Sequence, residues 1–262
     1  CMRQSLLFGG LESIAHNINR KNSDIRFYEF GNCYYFDGSK VSSADAPLKP
    51  YSEDFHLALW LSGNKTSQSW VLKQEKTSFY TLRAYVDNVL VRLGVNMKKC
   101  VVGAYCDDLL SDGLTIYNAT GQLLVKMGVV AKKQLKRFDI DSDVFFADLN
   151  WNNLMSEIKK AKVTYSEISK YPEVKRDLAL LIDKSTTFAE IVKIANETEK
   201  KLLKDVYLFD VYEGKNLEEG KKSYAVSFIL QDENKTLTDA QIDSIMKKLM
   251  KNYENKLGAK IR

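Results

Sequence analysis

Two side chains in the last quarter of the sequence, Asp210 and Tyr212, have the types and the spacing to read a nucleotide base. Side chains alternate along a strand, so residues two apart share a face. A carboxylate accepts hydrogen bonds from a base edge, such as the ring N–H and amino group of guanine. A tyrosine offers a surface on which a base stacks. Single-stranded RNA is read by this combination of stacking and edge contacts. The same pair also suits the plain exposed end of a strand before a turn, and the two readings stand side by side on the residues alone. Other chemistries find little support. The four cysteines, Cys1, Cys33, Cys100 and Cys106, form no Cys-x-x-Cys pair, and the two histidines are His16 and His56. No zinc site is expected from that inventory; such cysteines are usually small apolar fillers. Neither histidine sits in a nucleophile–base pattern, and no Walker or Gly-x-Gly-x-x-Gly motif occurs.

The elements that must position Asp210 and Tyr212 are legible. Residues 178–182, 206–212 and 224–230 read as strands, with a short last one at 259–262. Thr187-Phe188-Ala189-Glu190 and Thr238-Asp239-Ala240-Gln241 are capping boxes that open two helices. The first helix turns Phe188, Ile191, Ala195 and Leu202 inward. The second turns in Ile242, Ile245, Met246, Leu249 and Tyr253, and Gly258 ends it. The order βαββαβ predicts a ferredoxin-like unit with both helices on one face of the sheet. Strict alternation sets Leu178, Leu180 and Ile182 against Ala179 and Leu181. It sets Tyr207, Phe209 and Val211 against Val206, Leu208, Asp210 and Tyr212. It sets Tyr224, Val226, Phe228 and Leu230 against Ser223, Ala225 and Ser227. The larger apolar sets belong under the helices. The open face then carries Ala179, Asp210, Tyr212, Ser223, Ala225 and Ser227, where small residues let a flat ligand approach.

Upstream, 262 residues favour two domains. A content of 45% hydrophobic and 28% charged residues is that of a globular protein. The net charge of +5 is too mild to argue nucleic acid by itself; Lys200-Lys201 and Lys247-Lys248 read as solvated helix faces. No apolar run reaches membrane-spanning length, and the first residues show no signal-peptide pattern. Because a helix starts almost at once, near residues 4–20, a fragment of a longer protein is expected. A strand at 25–36, apolar on both faces, is expected in the centre of a sheet. A loop at 41–52, a strand at 55–61 and a helix at 79–93 ended by Gly94 follow. Strands come at 100–105, 114–117, 122–131 and 144–149, and a helix at 151–160. The pattern changes around 163–172, where the residue before Pro172 avoids helix. Domains of 1–163 and 164–262 are expected, the first mixed α/β with an antiparallel hairpin.

These residues carry a resemblance. Tyr171-Pro172-Glu173-Val174-Lys175-Arg176-Asp177-Leu178-Ala179 resembles the aromatic-Pro-x-x-x-Arg-Asp-Leu opening of the anticodon-binding domain of phenylalanyl-tRNA synthetase beta subunits. Phe209-Asp210-Val211-Tyr212-Glu213-Gly214 is similar to that family's Phe-Asp-x-Tyr-Glu-Gly strand, Lys222-Ser223 to its Lys-Ser strand, and Lys235-Thr236-Leu237-Thr238-Asp239 to its Thr-Leu-Thr-Asp helix start. Further up, Met2-Arg3-Gln4-Ser5-Leu6-Leu7 with Gly10-Leu11 resembles its Leu-Arg-x-Ser-Leu-Leu-Pro-Gly-Leu-Leu helix, with Phe8 in place of proline. Phe27-Tyr28-Glu29-Phe30-Gly31 resembles its Phe-Glu-Leu-Gly strand. The likeness covers essentially the whole chain as the C-terminal portion of such a subunit. It implies an α+β fold: a truncated, pseudo-catalytic class II synthetase-like module followed by a ferredoxin-like βαββαβ domain.

It further implies anticodon contacts at Asp210, Tyr212, Ser223 and Ala179, with Lys175 and Arg176 as candidate phosphate contacts. The implied partners are tRNA(Phe) and an alpha subunit in an alpha2-beta2 tetramer, in the cytoplasm. ATP and Mg2+ would serve the parent enzyme, and no cofactor this fragment. No catalytic residue is expected here. A class II active site needs an arginine on its motif-2 strand and another in a glycine-rich motif 3, to stabilise charge developing at the ATP α-phosphate. The motif-2-like strand offers only Arg26, a flanking residue. The motif-3-like stretch Val129-Val130-Ala131-Lys132-Lys133-Gln134-Leu135-Lys136-Arg137 lacks the glycines. The competing readings are a ferredoxin-like amino-acid sensor, which would bind at a helix–helix or dimer interface, and a purely structural scaffold.

Overall fold

The first helix forms where leucine spacing dictates. In α1 (Leu7–Ile18), Leu7, Leu11 and Ile14 are wholly buried. Gly10 lies so near the Trp60 indole that a Cβ would overlap the ring, so the helix sits close on the sheet beneath it. The computed structural model describes residues 2–40, 46–159, 165, 167–214 and 217–261. The chain divides into two compact units, Cys1–Thr164 and Tyr165–Arg262; the boundary expected between residues 163 and 164 lies outside the described residues. Among the described residues no helix is long and apolar enough to cross a membrane.

The first unit is a six-stranded sheet with every neighbouring pair antiparallel. Its strands are β1 (Ile25–Phe36), β2 (Tyr51–Ser62), β3 (Val101–Tyr105), β4 (Leu110–Tyr117), β5 (Leu123–Val130) and β6 (Val144–Asn150), in the order β1-β2-β6-β5-β4-β3. Alternating residues feed two cores. Leu7, Leu11 and Ile14 of α1 pack with Trp60, Val130 and Phe146 on one face. On the other, Leu82, Val86 and Leu90 of α2 (Phe79–Arg92) and Leu154 of α4 (Trp151–Ile158) pack with Leu57, Val125 and Ala147. Strands β2 and β6 are buried on both sides: β2 gives Ala58 and Trp60 to one core and Leu57 and Leu61 to the other, and Val144, Phe145, Phe146 and Ala147 of β6 are all buried. The expectation that 25–36 would be central is corrected: β1 is an edge strand. Residues facing α1, such as Ile25 and Cys33, are buried, while Tyr28, Phe30 and Phe36 on the other side stay exposed. Large aromatics on a half-covered edge give the same sequence pattern as a strand covered twice. A short helix with no visible periodicity, α3 (Lys132–Lys136), occupies the expected motif-3-like stretch.

The second unit has the expected order: β7 (Val174–Asp183), α5 (Phe188–Thr198), β8 (Leu203–Tyr212), β9 (Lys221–Leu230), α6 (Asp239–Leu257) and β10 (Lys260–Ile261). The strand order β10-β7-β9-β8 with antiparallel neighbours is ferredoxin-like. Both capping boxes form: Glu190 accepts from the Thr187 amide at 2.7 Å, and Gln241 from the Thr238 amide at 3.1 Å. Gly258 ends α6 in the left-handed region, at φ +58°. Both helices lie on one side, where Ile191, Ile194, Ile245 and Leu249 pack with Leu180, Ile182, Val226 and Phe228. Tyr253 is buried there, its hydroxyl donating to the Ile191 carbonyl at 3.1 Å.

Candidate nucleic-acid interface

Strand register places the predicted residues. Across the helix-free face of the second sheet, Ala179 of β7 pairs with Ala225 of β9, which pairs with Asp210 of β8. In the next row Leu181 pairs with Ser223, which pairs with Tyr212. Directly paired residues of antiparallel strands share a face, and the buried partners of α5 and α6 occupy the alternate positions. The four residues expected at the site, Asp210, Tyr212, Ser223 and Ala179, therefore stand together in two adjacent rows. Ala179 and Ala225 leave the floor low beside Asp210. Asp210 is exposed, and no hydrogen bond or ion pair engages its carboxylate among the described residues. Tyr212 is half exposed, and its hydroxyl end lies over Gly214, where a Cβ would collide with it. The glycine two residues on thus makes room for the ring.

Alternation fails earlier in the same strand, and the face assignment there is corrected. Leu208 pairs with Val226 and Asp210 with Ala225, so one β9 step is matched by two β8 steps, leaving Phe209 as the extra residue of a β-bulge. Val206 and Leu208 consequently face the helices, not the open side, and pack on that core. Tyr207, expected beneath the helices, pairs with Ser227 on the open side. The Phe209 ring is there too, 52% exposed. Sequence reading therefore missed two aromatic members of this face. The signal was present: aliphatic residues at 206, 208 and then 211 change parity, which a regular strand does not do.

The two expected phosphate contacts part company. Lys175 pairs with Ile229 on the open face, and its ammonium lies 5.3 Å from the Tyr207 ring centroid and 5.4 Å from that of Phe209. Arg176 pairs with Phe228 on the helix side, its guanidinium 3.9 Å from Asp239 at the start of α6. It is not brought to the face that holds Asp210. Beside Lys175, Ser227 is fully buried and donates to Asp177 at 2.6 Å. The Tyr207 phenol, and Asp177 after it, push the Lys175 pKa up; Lys175 and then Ser227 push that phenol down.

In the first unit, Arg26 is occupied. Its guanidinium donates to the Asn64 carbonyl at 3.4 Å and also to that of Lys65. Sequence reading also missed a buried polar chain. His56 Nδ1 is 2.6 Å from Asp148 Oδ1, and its Nε2 is 3.4 Å from the Tyr35 hydroxyl. Burial pushes the neighbouring Cys33 thiol and the Tyr35 phenol up. A protonated thiol with no exposed surface is not a nucleophile, so this chain reads as a satisfied core network.

Comparison with known proteins gives two family matches. Residues 169–262 match the ferredoxin-fold anticodon binding domain, and residues 1–151 match the phenylalanyl tRNA synthetase beta chain CLM domain. A phenylalanine–tRNA ligase beta subunit from Bacteroides fragilis is 62% identical over all 262 residues, which make up 32% of that protein. The equivalents from Porphyromonas gingivalis and Staphylococcus saprophyticus are 46% and 30% identical, each over the whole of this chain and over 32% and 31% of their own lengths. The chain thus spans about a third of the curated relatives it matches. A solved pyrrolysyl tRNA synthetase from Desulfitobacterium hafniense superposes at a TM-score of 0.41 and 14% identity, covering 63% of this chain and 55% of its own, too slight a likeness to carry an argument.

Proposed function

The chain belongs to the phenylalanyl-tRNA synthetase beta-chain family, and from that premise we propose that its second unit holds the anticodon arm of tRNA(Phe) on the helix-free face of its sheet. The observation that carries this is the placing of Asp210, Ala179, Tyr212 and Ser223 in two adjacent rows of one open face. The Asp210 carboxylate, free of partners among the described residues, accepts from the ring N–H and amino group of guanine at the first anticodon position. Tyr212 stacks on the base, and Ser223 beside it adds a hydroxyl to the base edge. Ala179 and Ala225 admit the flat ring. Lys175 is a cation of this face.

The first unit acts in assembly, as a class II-like but catalytically silent module packed with an alpha subunit in an alpha2-beta2 tetramer of the cytoplasm. ATP and Mg2+ serve the catalytic alpha subunit. The residues present here do not suit ATP: Arg26 is held by the carbonyls of Asn64 and Lys65. The test is aminoacylation by the full enzyme carrying Asp210→Asn, with tRNA bearing its natural or a substituted first anticodon base. The variant keeps the shape but swaps an acceptor for a donor. Guanine preference should fall by about tenfold or more, the scale of one base-edge pair. Discrimination equal to wild type removes Asp210 from the site.

A further inference from the structure

The bulge at Phe209 leaves two aromatic residues of the open face without a part in the proposed function. Tyr207 and Phe209 both stand on the open face, and one ammonium, Lys175 Nζ, lies within 5.4 Å of both ring centroids. Tyr207 is half-buried and braced by its neighbours, Ser227 being fully buried and bonded to Asp177. Phe209 is exposed. The nearest carboxylate oxygen to Lys175, on Asp177, is 4.0 Å away, so the ammonium is not locked in a short ion pair. Rows on β9 are two residues apart, which puts the Tyr207 row about 7 Å from the Asp210 row and about 13 Å from the Tyr212 row. That is the scale of successive nucleotides in one strand. Two π-faces with a cation beside both match a base and its phosphate, and sequence-tolerant single-strand sites are built from this pairing.

We propose that Tyr207, Phe209 and Lys175 form a second nucleotide subsite, which stacks the base next to the one held by Asp210 and Tyr212 while Lys175 leaves the rings for the flanking phosphate. This rests on the reading of the face as the anticodon site. Stacking here asks for no particular base, so the subsite adds affinity and not sequence choice. Lys175 lies by both rings when RNA is absent, which keeps the exposed Phe209 from facing water unpartnered.

The test uses the full enzyme and a series of anticodon-arm RNAs, each with one abasic nucleotide, and reads dissociation constants. Tyr207→Leu should weaken binding of the intact RNA about tenfold, and Tyr207→Phe less than about twofold, since the ring remains. Lys175→Gln should reduce the salt slope by about 0.7. One abasic position flanking the first anticodon nucleotide should cancel the Tyr207→Leu loss and spare the Tyr212→Ala loss. If Tyr207→Leu lowers the urea midpoint, Phe209→Leu, at the more exposed ring, repeats the comparison. The subsite is overturned if Tyr207→Leu and Phe209→Leu bind like wild type while Tyr212→Ala does not. It is equally overturned if one abasic position cancels both tyrosine losses, or if Tyr207→Phe loses as much as Tyr207→Leu. Undiminished binding by Tyr212→Ala and Asp210→Asn sinks the reading of the face itself.

Discussion

At the scale of single residues, the site depends on side chains kept free by what surrounds them. Tyr212 can stack because Gly214 leaves space at its hydroxyl end. Gly214→Ala should therefore push the ring aside and mimic part of Tyr212→Ala. Tyr212→Ala itself should weaken every anticodon variant alike, by about 1–3 kcal/mol. Gly214→Ala should show a smaller uniform loss, with little change in thermal midpoint. Isothermal titration of the full enzyme with tRNA variants checks both; a Gly214→Ala protein that binds as wild type would show that the ring finds another way to its base. The residue types at this site were plain in the sequence. Alternation could also have parted Arg176 from Lys175, because its neighbour on a strand points to the other face, where Asp239 lies 3.9 Å away.

At the scale of elements, regular features announced themselves and irregular ones did not. Reciprocal capping boxes fixed the starts of α5 and α6, because a Thr followed three residues later by Glu or Gln satisfies donors that nothing else nearby can satisfy. The bulge in β8 defeated alternation, since a one-residue slip reverses every side chain beyond it. The aromatic edge β1 passed for a centre because the pattern records apolarity and not what covers it. Another irregular feature governs acid stability. Asp107, in the turn between β3 and β4, accepts from the Leu109 and Leu110 amides at 2.9 and 2.7 Å, from the Tyr105 hydroxyl at 2.7 Å and from Lys126 at 2.7 Å. Burial alone would raise its pKa, but Lys126, Tyr105 and the two amides outweigh it and hold the carboxyl well below the usual range. A pKa lower in the folded than in the unfolded state gives stability that is full above about pH 5 and is lost as pH falls through about 4 and below. Asp107→Asn should cost on the order of 2 kcal/mol at pH 7 and flatten the acid limb of the urea midpoint against pH. An unchanged acid limb would place the titration elsewhere.

At the scale of the molecule, the core beneath α5 and α6 is drawn, among the described residues, from 174–261. The piece 165–262 should therefore fold alone, with one cooperative urea transition and dispersed amide resonances. Its binding to an anticodon arm should fall with salt along a shallow log–log slope, since few cations serve the face; affinity unchanged by salt would exclude backbone contact by Lys175. The whole chain should show no ATP–pyrophosphate exchange with phenylalanine, and exchange by protein free of host enzyme would overturn the silent role of the first unit. Beyond recognition, the position of β8 has a further effect. It is an outer strand of its sheet among the described residues, so one side of its backbone makes no ladder with a neighbouring strand. Charged side chains and bulges are the usual guards against another chain pairing at such an edge, and β8 has Asp205, Asp210 and the irregularity at Phe209. The carboxylate proposed to read a base is thus also a solubility element. Asp210→Val should accelerate self-association in light scattering at a folding stability close to wild type, so the residue at this position also sets how concentrated the protein can become.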